Sequence, residues 1–225
     1  MRMKTVVFDL DGTLADTSSD LIAAANACFR DMDAGDLLDP AKDAATALRG
    51  GRAMLRLGME RMGRTADDPL IDKYYDALLE HYARDIATHT RLYDGAMDSV
   101  AELKLRGYLV AICTNKPERL AHELLTRLGI RDHFAAMLGA DTLPVRKPHP
   151  EHLFETVRRA GGDPKQCLLV GDTATDRNTS KAAGRPSILV TFGPAGADMA
   201  SLVPDALLER YSDLPDLVER ILGKV

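Results

Sequence analysis

At 225 residues, with 45% hydrophobic and 28% charged residues, the chain has the composition of a folded globular protein with a sizeable core, which excludes disordered and fibrous classes. Its formal charge of -5 is spread over interspersed acidic and basic residues, so no basic stripe supports nucleic-acid binding. No run approaches the ~18 apolar residues of a membrane-spanning helix, which argues against a membrane partner.

The chain enters a strand pattern almost at once, in "TVVFDLDGT", where apolar residues run into Asp9, then Asp11, Gly12 and Thr13. No signal-peptide apolar core precedes it, and the three cysteines, Cys28, Cys113 and Cys167, are scattered among apolar neighbours. Reduced core cysteines in a cytoplasmic protein are the expectation. From about residue 17 to residue 90 no strand is predicted. Leu21, Ile22, Ala25, Cys28, Phe29 and Met32 form one helical stripe. Ile71, Tyr74, Tyr75, Leu78, Tyr82 and Ile86 form another, and both read as helix core. "ALRGGRAML" breaks the helical pattern at Gly50 and Gly51, flanked by Arg49 and Arg52.

Strands and helices then alternate. "LVAICTN", "AAMLGAD", "CLLVGDT" and "SILVTFG" are near-continuous apolar runs, as expected of parallel strands covered on both faces. The helical segments between them include "PERLAHELLTRLG" and "PEHLFETVRRAGG", with proline at the start and glycine past the end. The fold class predicted is α/β, a doubly wound, Rossmann-like parallel sheet core with an inserted helical cap domain. The core comprises residues 1–16 and 91–225, and the cap residues 17–90.

Ligands of open parallel sheets bind beyond the carboxyl ends of the strands. Asp9 and Asp11 end the first strand, Thr114 and Asn115 the second, Asp141 the third and Asp172 the fourth. Asp176 follows at a helix start, and Lys147 lies in "VRKPHP". His149 and His152 read as solvated residues at a helix start. Taken singly, each of these features has a plain structural reading, such as a polar turn or an N-cap. Their joint order at strand ends favours chemistry. A carboxylate cluster suits a hard dication, Mg²⁺ above all, and nothing here suits a soft metal. One aspartate can then attack phosphorus, while a second donates to the leaving alkoxide and later activates water. Thr114 and Lys147 would contact the transferring oxygens, and Gly12 would turn the backbone toward phosphate.

At "FDLDGTLADT", "ICTNK", "RKPHP" and "GDTATD" the sequence resembles the haloacid dehalogenase (HAD) superfamily of phosphohydrolases. The resemblance spans essentially the whole chain. It implies Asp9 as nucleophile, Asp11 as general acid/base, and Thr114, Asn115 and Lys147 as the phosphate-binding set. It implies metal binding by Asp9, the Asp11 carbonyl and Asp172, with Asp176 directly or through water. Within the superfamily, "YDGAMDSVAELKLRGY", "CTNKPERLAHELLTRLGI" and "GADTLPVRKPHPEHL" are similar to the phosphoglycolate phosphatases. One departure is the polar run Arg177, Asn178, Thr179 and Ser180, where the family is rich in alanine. The substrate expected is a small-molecule phosphate ester, with Gly51 and Arg52 of the cap as specificity residues, Arg52 pairing with a substrate anion. A helix–helix turn with solvated arginines is the alternative for that loop. The chain is expected to be a monomer or homodimer. A sugar phosphomutase of the same fold is a rival reading. A phospho-receiver module is another, although such modules carry no large helical insertion.

Overall fold

The computed structural model describes residues 3–225. The chain divides into two compact units, one holding the chain up to Ala15 together with Leu92–Val225, the other Asp16–Arg91. In chain order the strands are β1 (Met3–Phe8), β2 (Ala15–Asp16), β3 (Arg91–Leu92), β4 (Leu109–Cys113), β5 (Ala136–Leu138), β6 (Gly162–Gly171), β7 (Ser187–Val190) and β8 (Ala206–Leu208). The helices are α1 (Ser18–Arg30), α2 (Ala44–Ala47), α3 (Gly51–Arg61), α4 (Asp68–Arg84), α5 (Ala96–Leu105), α6 (Glu118–Arg127), α7 (Pro150–Arg159), α8 (Ala174–Ala183) and α9 (Leu214–Leu222). The chain passes between the units at β2 and at β3.

The first unit is built on a six-stranded sheet in the order β5-β4-β1-β6-β7-β8, parallel throughout and covered by helices on both sides. β1 lies at the centre, with Val7 in register with Ala111 on one side and Leu169 on the other. Its last four residues are fully or almost fully enclosed, which is why the run reads as continuously apolar rather than alternating. The order reverses direction beside β1, the place in open parallel sheets where ligands bind beyond the carboxyl ends of the strands.

The doubly wound α/β sheet is therefore present, with one strand more than the sequence suggested. β8 is Ala206–Leu208, apolar throughout but only three residues long and with one of them buried, too short a run to read as a strand. β6 also starts earlier than the apolar stretch, at Gly162, with an irregularity in its pairing to β1 between Met3 and Thr5. The polar run after Asp176 is accommodated. Arg177 reaches Asp205 and the Ser187 hydroxyl, and Thr179 donates to the Thr175 carbonyl.

The second unit is helical. Ile22, Phe29, Met54, Met59, Ile71 and Leu78, from α1, α3 and α4, are at most 1% exposed and form its centre. Asp20 of α1 accepts from the His89 N–H, the Thr90 N–H and the Thr90 hydroxyl, fastening the returning chain to the helix start. The glycine pair interrupts the helical pattern as expected, with Gly50 capping the N-terminus of α3. Cys28, Cys113 and Cys167 are free and buried. Among the described residues, no helix is long and apolar enough to cross a membrane.

Candidate active site

Asp9 follows β1 directly, and its N–H bonds to the Val170 carbonyl at 2.9 Å, so strand pairing with β6 continues through the residue that carries the carboxylate. Asp172 leaves β6 immediately after Gly171, and its Oδ1 accepts from the Thr13 hydroxyl at 2.9 Å. Asp176 enters from a different direction. It is the third residue of α8 and forms a capping box with Thr173, whose hydroxyl donates to its Oδ2 at 2.6 Å. The other oxygen of Asp176, Oδ1, accepts from the Lys147 ammonium.

The three carboxylates each offer an oxygen within 4.8 Å of the others, and all three residues are buried. Lys147 lies against them, its ammonium 3.0 Å from Asp9 Oδ2 and 2.7 Å from Asp176 Oδ1. The backbone around the cluster is built for this closeness. A Cβ on Gly171 would fall 2.3 Å from the Asp176 Cγ, so only glycine admits that side chain here. Gly12, at φ +77°, takes the left-handed conformation that swings the loop back after Asp11.

Electrostatics make the cluster incomplete. Burial pushes the Asp9 carboxyl up to about 6; Lys147 pulls against this, while Asp176 and Asp11 add to it. Asp172 is raised well above the carboxylate range by burial, then by the charges of Asp176 and Asp9. For Lys147, burial favours the neutral amine, but Asp176 and Asp9 outweigh it and hold the group protonated. Three carboxylates thus face one ammonium, a formal excess of two negative charges among hard oxygen donors. A hard dication fits that donor set in charge and in ligand chemistry.

The remaining sequence-predicted residues divide. Thr114 is buried beyond β4, and its Oγ1 accepts from the Lys116 N–H at 3.2 Å, leaving its own hydrogen for another acceptor. Asn115 donates its amide to the Lys147 carbonyl at 2.9 Å, tying the loop after β4 to the lysine's loop. The Asp11 carboxylate stands apart from the three-carboxylate cluster and accepts from Lys116 on both oxygens. Asp141, just past β5, is outside the three-carboxylate cluster and accepts from the Glu118 N–H at the start of α6. Of the two histidines read as solvated residues at a helix start, exposed His149 fits that reading and His152 does not. His149 caps α7 through Glu151, but His152 is wholly enclosed between the Gly139 carbonyl and Cys113. In the helical unit, Gly51 opens α3. The Arg52 guanidinium is 2.5 Å from Asp72 and stacks over Tyr75 at 4.8 Å, whereas Arg49 is exposed.

Sequence reasoning missed Lys116, although it stands in the same "TNK" run as Thr114. It also missed Thr13 and Thr173 as supports of the carboxylates. Tyr211, whose hydroxyl donates to the Thr13 carbonyl at 2.6 Å, is 198 positions away and carries no local signal.

A family model described as haloacid dehalogenase-like hydrolase matches residues 3–184. A phosphoglycolate phosphatase of Mesorhizobium japonicum is 39% identical over 99% of this chain and 98% of its own. One from Agrobacterium fabrum is 35% identical over 97% and 94%. Among solved structures, a predicted phosphoglycolate phosphatase from Haemophilus somnus superimposes with a TM-score of 0.81 at 25% identity, covering 96% of this chain and 98% of that one.

Proposed function

The chain belongs to the haloacid dehalogenase-like hydrolases and is a phosphoric monoester hydrolase, and from that premise we propose that it is a Mg²⁺-dependent phosphatase of a small anionic ester, 2-phosphoglycolate first. The observation that carries this reading is the meeting of Asp9, Asp172 and Asp176 opposite Lys147, at the carboxyl ends of β1 and β6. The relatives named as phosphoglycolate phosphatases support the choice of ester.

Asp9 is the nucleophile. Its carboxylate attacks phosphorus, the P–O bond to the alcohol breaks, and an aspartyl phosphate forms. Asp11, protonated at that moment, gives its proton to the departing oxygen. As a carboxylate it then takes a proton from the water that attacks the aspartyl phosphate, which releases phosphate and restores both side chains. Lys147 and Thr114 hold the transferring oxygens, where the charge of the transition state accumulates. Asp9, Asp172, Asp176 and the Asp11 carbonyl would hold Mg²⁺, and the bound ion would supply the positive charge that offsets repulsion between carboxylate and phosphate dianion.

The choice among esters is assigned to the helical unit. Arg52 is already paired with Asp72, so Arg49 becomes the better candidate for a substrate carboxylate. The protein is taken to work in the cytoplasm, as a monomer or homodimer. A panel of phosphate esters, assayed after chelation and again with Mg²⁺ restored, tests the reading. Phosphate release should require the metal and be fastest for 2-phosphoglycolate. Asp9→Asn should abolish turnover while circular dichroism stays the same, and near-normal rates in that variant would remove the nucleophile.

A further inference from the structure

We propose that Lys116 is a positioning residue for Asp11, fixing the carboxylate that protonates the leaving oxygen. The inference rests on the phosphatase chemistry above and assigns a part to a residue which that chemistry leaves out.

The Lys116 ammonium lies 2.8 Å from Asp11 Oδ1 and 3.0 Å from Oδ2, a grip on both oxygens that sets the plane of the carboxylate. The lysine side chain is 3% exposed and the aspartate 17%, so the cation sits on the inner side while the acid keeps accessible surface. Lys116 itself is rooted at the main chain. Its N–H bonds to Thr114 Oγ1, and its carbonyl accepts from the Ala140 N–H at 2.9 Å. One short loop beyond β4 thereby sets both a hydroxyl for the phosphate and the orientation of the acid.

A general acid works only within hydrogen-bond reach of the oxygen it protonates, and an aspartate turning freely about its side-chain torsions would meet that condition only part of the time. Two charge-assisted bonds from a buried ammonium remove that freedom in the carboxylate, and the protonated carboxyl still accepts from the same ammonium. In the step concerned, the Asp9–phosphorus bond forms and the bond from phosphorus to the alcohol oxygen breaks. The proton on Asp11 moves to that oxygen, and Lys116 keeps all of its own protons. The carboxylate that Lys116 holds is also separate from the Asp9, Asp172 and Asp176 cluster, so its loss should leave metal affinity intact.

The test is Lys116→Met and Lys116→Arg, assayed with Mg²⁺ on two esters that differ in their need for an acid. 2-Phosphoglycolate leaves as an alkoxide and requires a proton, whereas p-nitrophenyl phosphate leaves as a stable phenolate. Because kcat/KM covers steps only through departure of the alcohol, the later base step does not enter. Lys116→Met should lose roughly a hundredfold or more in kcat/KM on the alkyl ester and less than about tenfold on the aryl ester, and Lys116→Arg should recover most of the difference. In an Asp11→Asn background, where no carboxylate remains to be held, adding Lys116→Met should cost less than about threefold more. Mn²⁺ binding followed by electron paramagnetic resonance should be the same in wild type and variant. Equal losses on both esters, or additive losses with Asp11→Asn, would overturn the assignment. If Lys116→Met fails to fold, Lys116→Gln, a neutral side chain with a single amide group in place of the ammonium, takes its place and should show the same larger loss on the alkyl ester. Failure of the phosphatase reading has a different signature, a wild type inactive on both esters, and that outcome removes both claims.

Discussion

The enclosed His152 makes the stability of the core unit depend on pH in a way that can be isolated. Its Nε2 lies 3.0 Å from the Gly139 carbonyl, which can only accept, so the hydrogen is on Nε2. Nδ1 therefore faces Cys113 Sγ at 3.5 Å as an acceptor. Burial pushes the Cys113 thiol up to about 12, so it remains a donor. Protonating Nδ1 would set two donors against each other in a dry site. Burial accordingly depresses His152 from 6.5 to about 4; the Gly139 bond opposes this, and the charge of Lys147 adds to it. The sign follows: a ring that takes up its proton more readily in the unfolded chain contributes stability present above about pH 6.5 and lost as pH falls toward 4. The loss attributable to this ring is ~2 kcal/mol between about pH 7.5 and pH 5, approaching ~3 kcal/mol below pH 4. His152→Gln keeps a donor for the Gly139 carbonyl but cannot titrate. Urea unfolding followed by circular dichroism, in a chelating buffer across this range, should show wild type losing ~2 kcal/mol more than His152→Gln by about pH 5. The raised carboxyls of Asp9 and Asp172 act with the opposite sign in both proteins and cancel in the difference. Parallel pH curves for the two proteins would refute the enclosed, neutral ring.

Gly171→Ala should displace Asp176, because the added methyl overlaps its carboxyl carbon. Overpacking of ~1–3 kcal/mol at this point should appear as a loss of roughly tenfold or more in Mn²⁺ affinity, measured by calorimetry, with secondary structure retained. Asp20→Ala should leave the His89 and Thr90 N–H groups without their carboxylate acceptor, lowering stability by ~2–4 kcal/mol on a thermal melt without altering metal binding. Tyr211→Phe removes a single hydroxyl from the Thr13 carbonyl. It should weaken metal binding severalfold while costing ~1 kcal/mol of stability, and unaltered affinity would show that Thr13 orients Asp172 without help from the C-terminal segment. Arg49→Ala should raise KM for carboxylate-bearing esters more than for neutral ones, and by a larger factor than Arg52→Ala.

Much of this molecule is written locally. The apolar runs ending in Asp9, Thr114 and Asp172 identify buried parallel strands and place polar groups at their carboxyl ends, because a covered strand tolerates such groups only where it emerges. Proline and glycine positions mark several of the helices between them for an equally local reason, the φ values these residues allow. The strand order about β1, the three-residue β8, the enclosure of His152, and the pairings of Thr13 with Asp172 and Lys116 with Asp11 lie beyond that reach. Lys116 and Asp11 are 105 positions apart, Thr13 and Asp172 159. Periodicity constrains neighbours along the chain, whereas which carboxylate an ammonium meets depends on how strands from distant segments come into register. An aspartate in the sequence is a charge with a place on a strand; its partner is chosen only when the sheet closes around it.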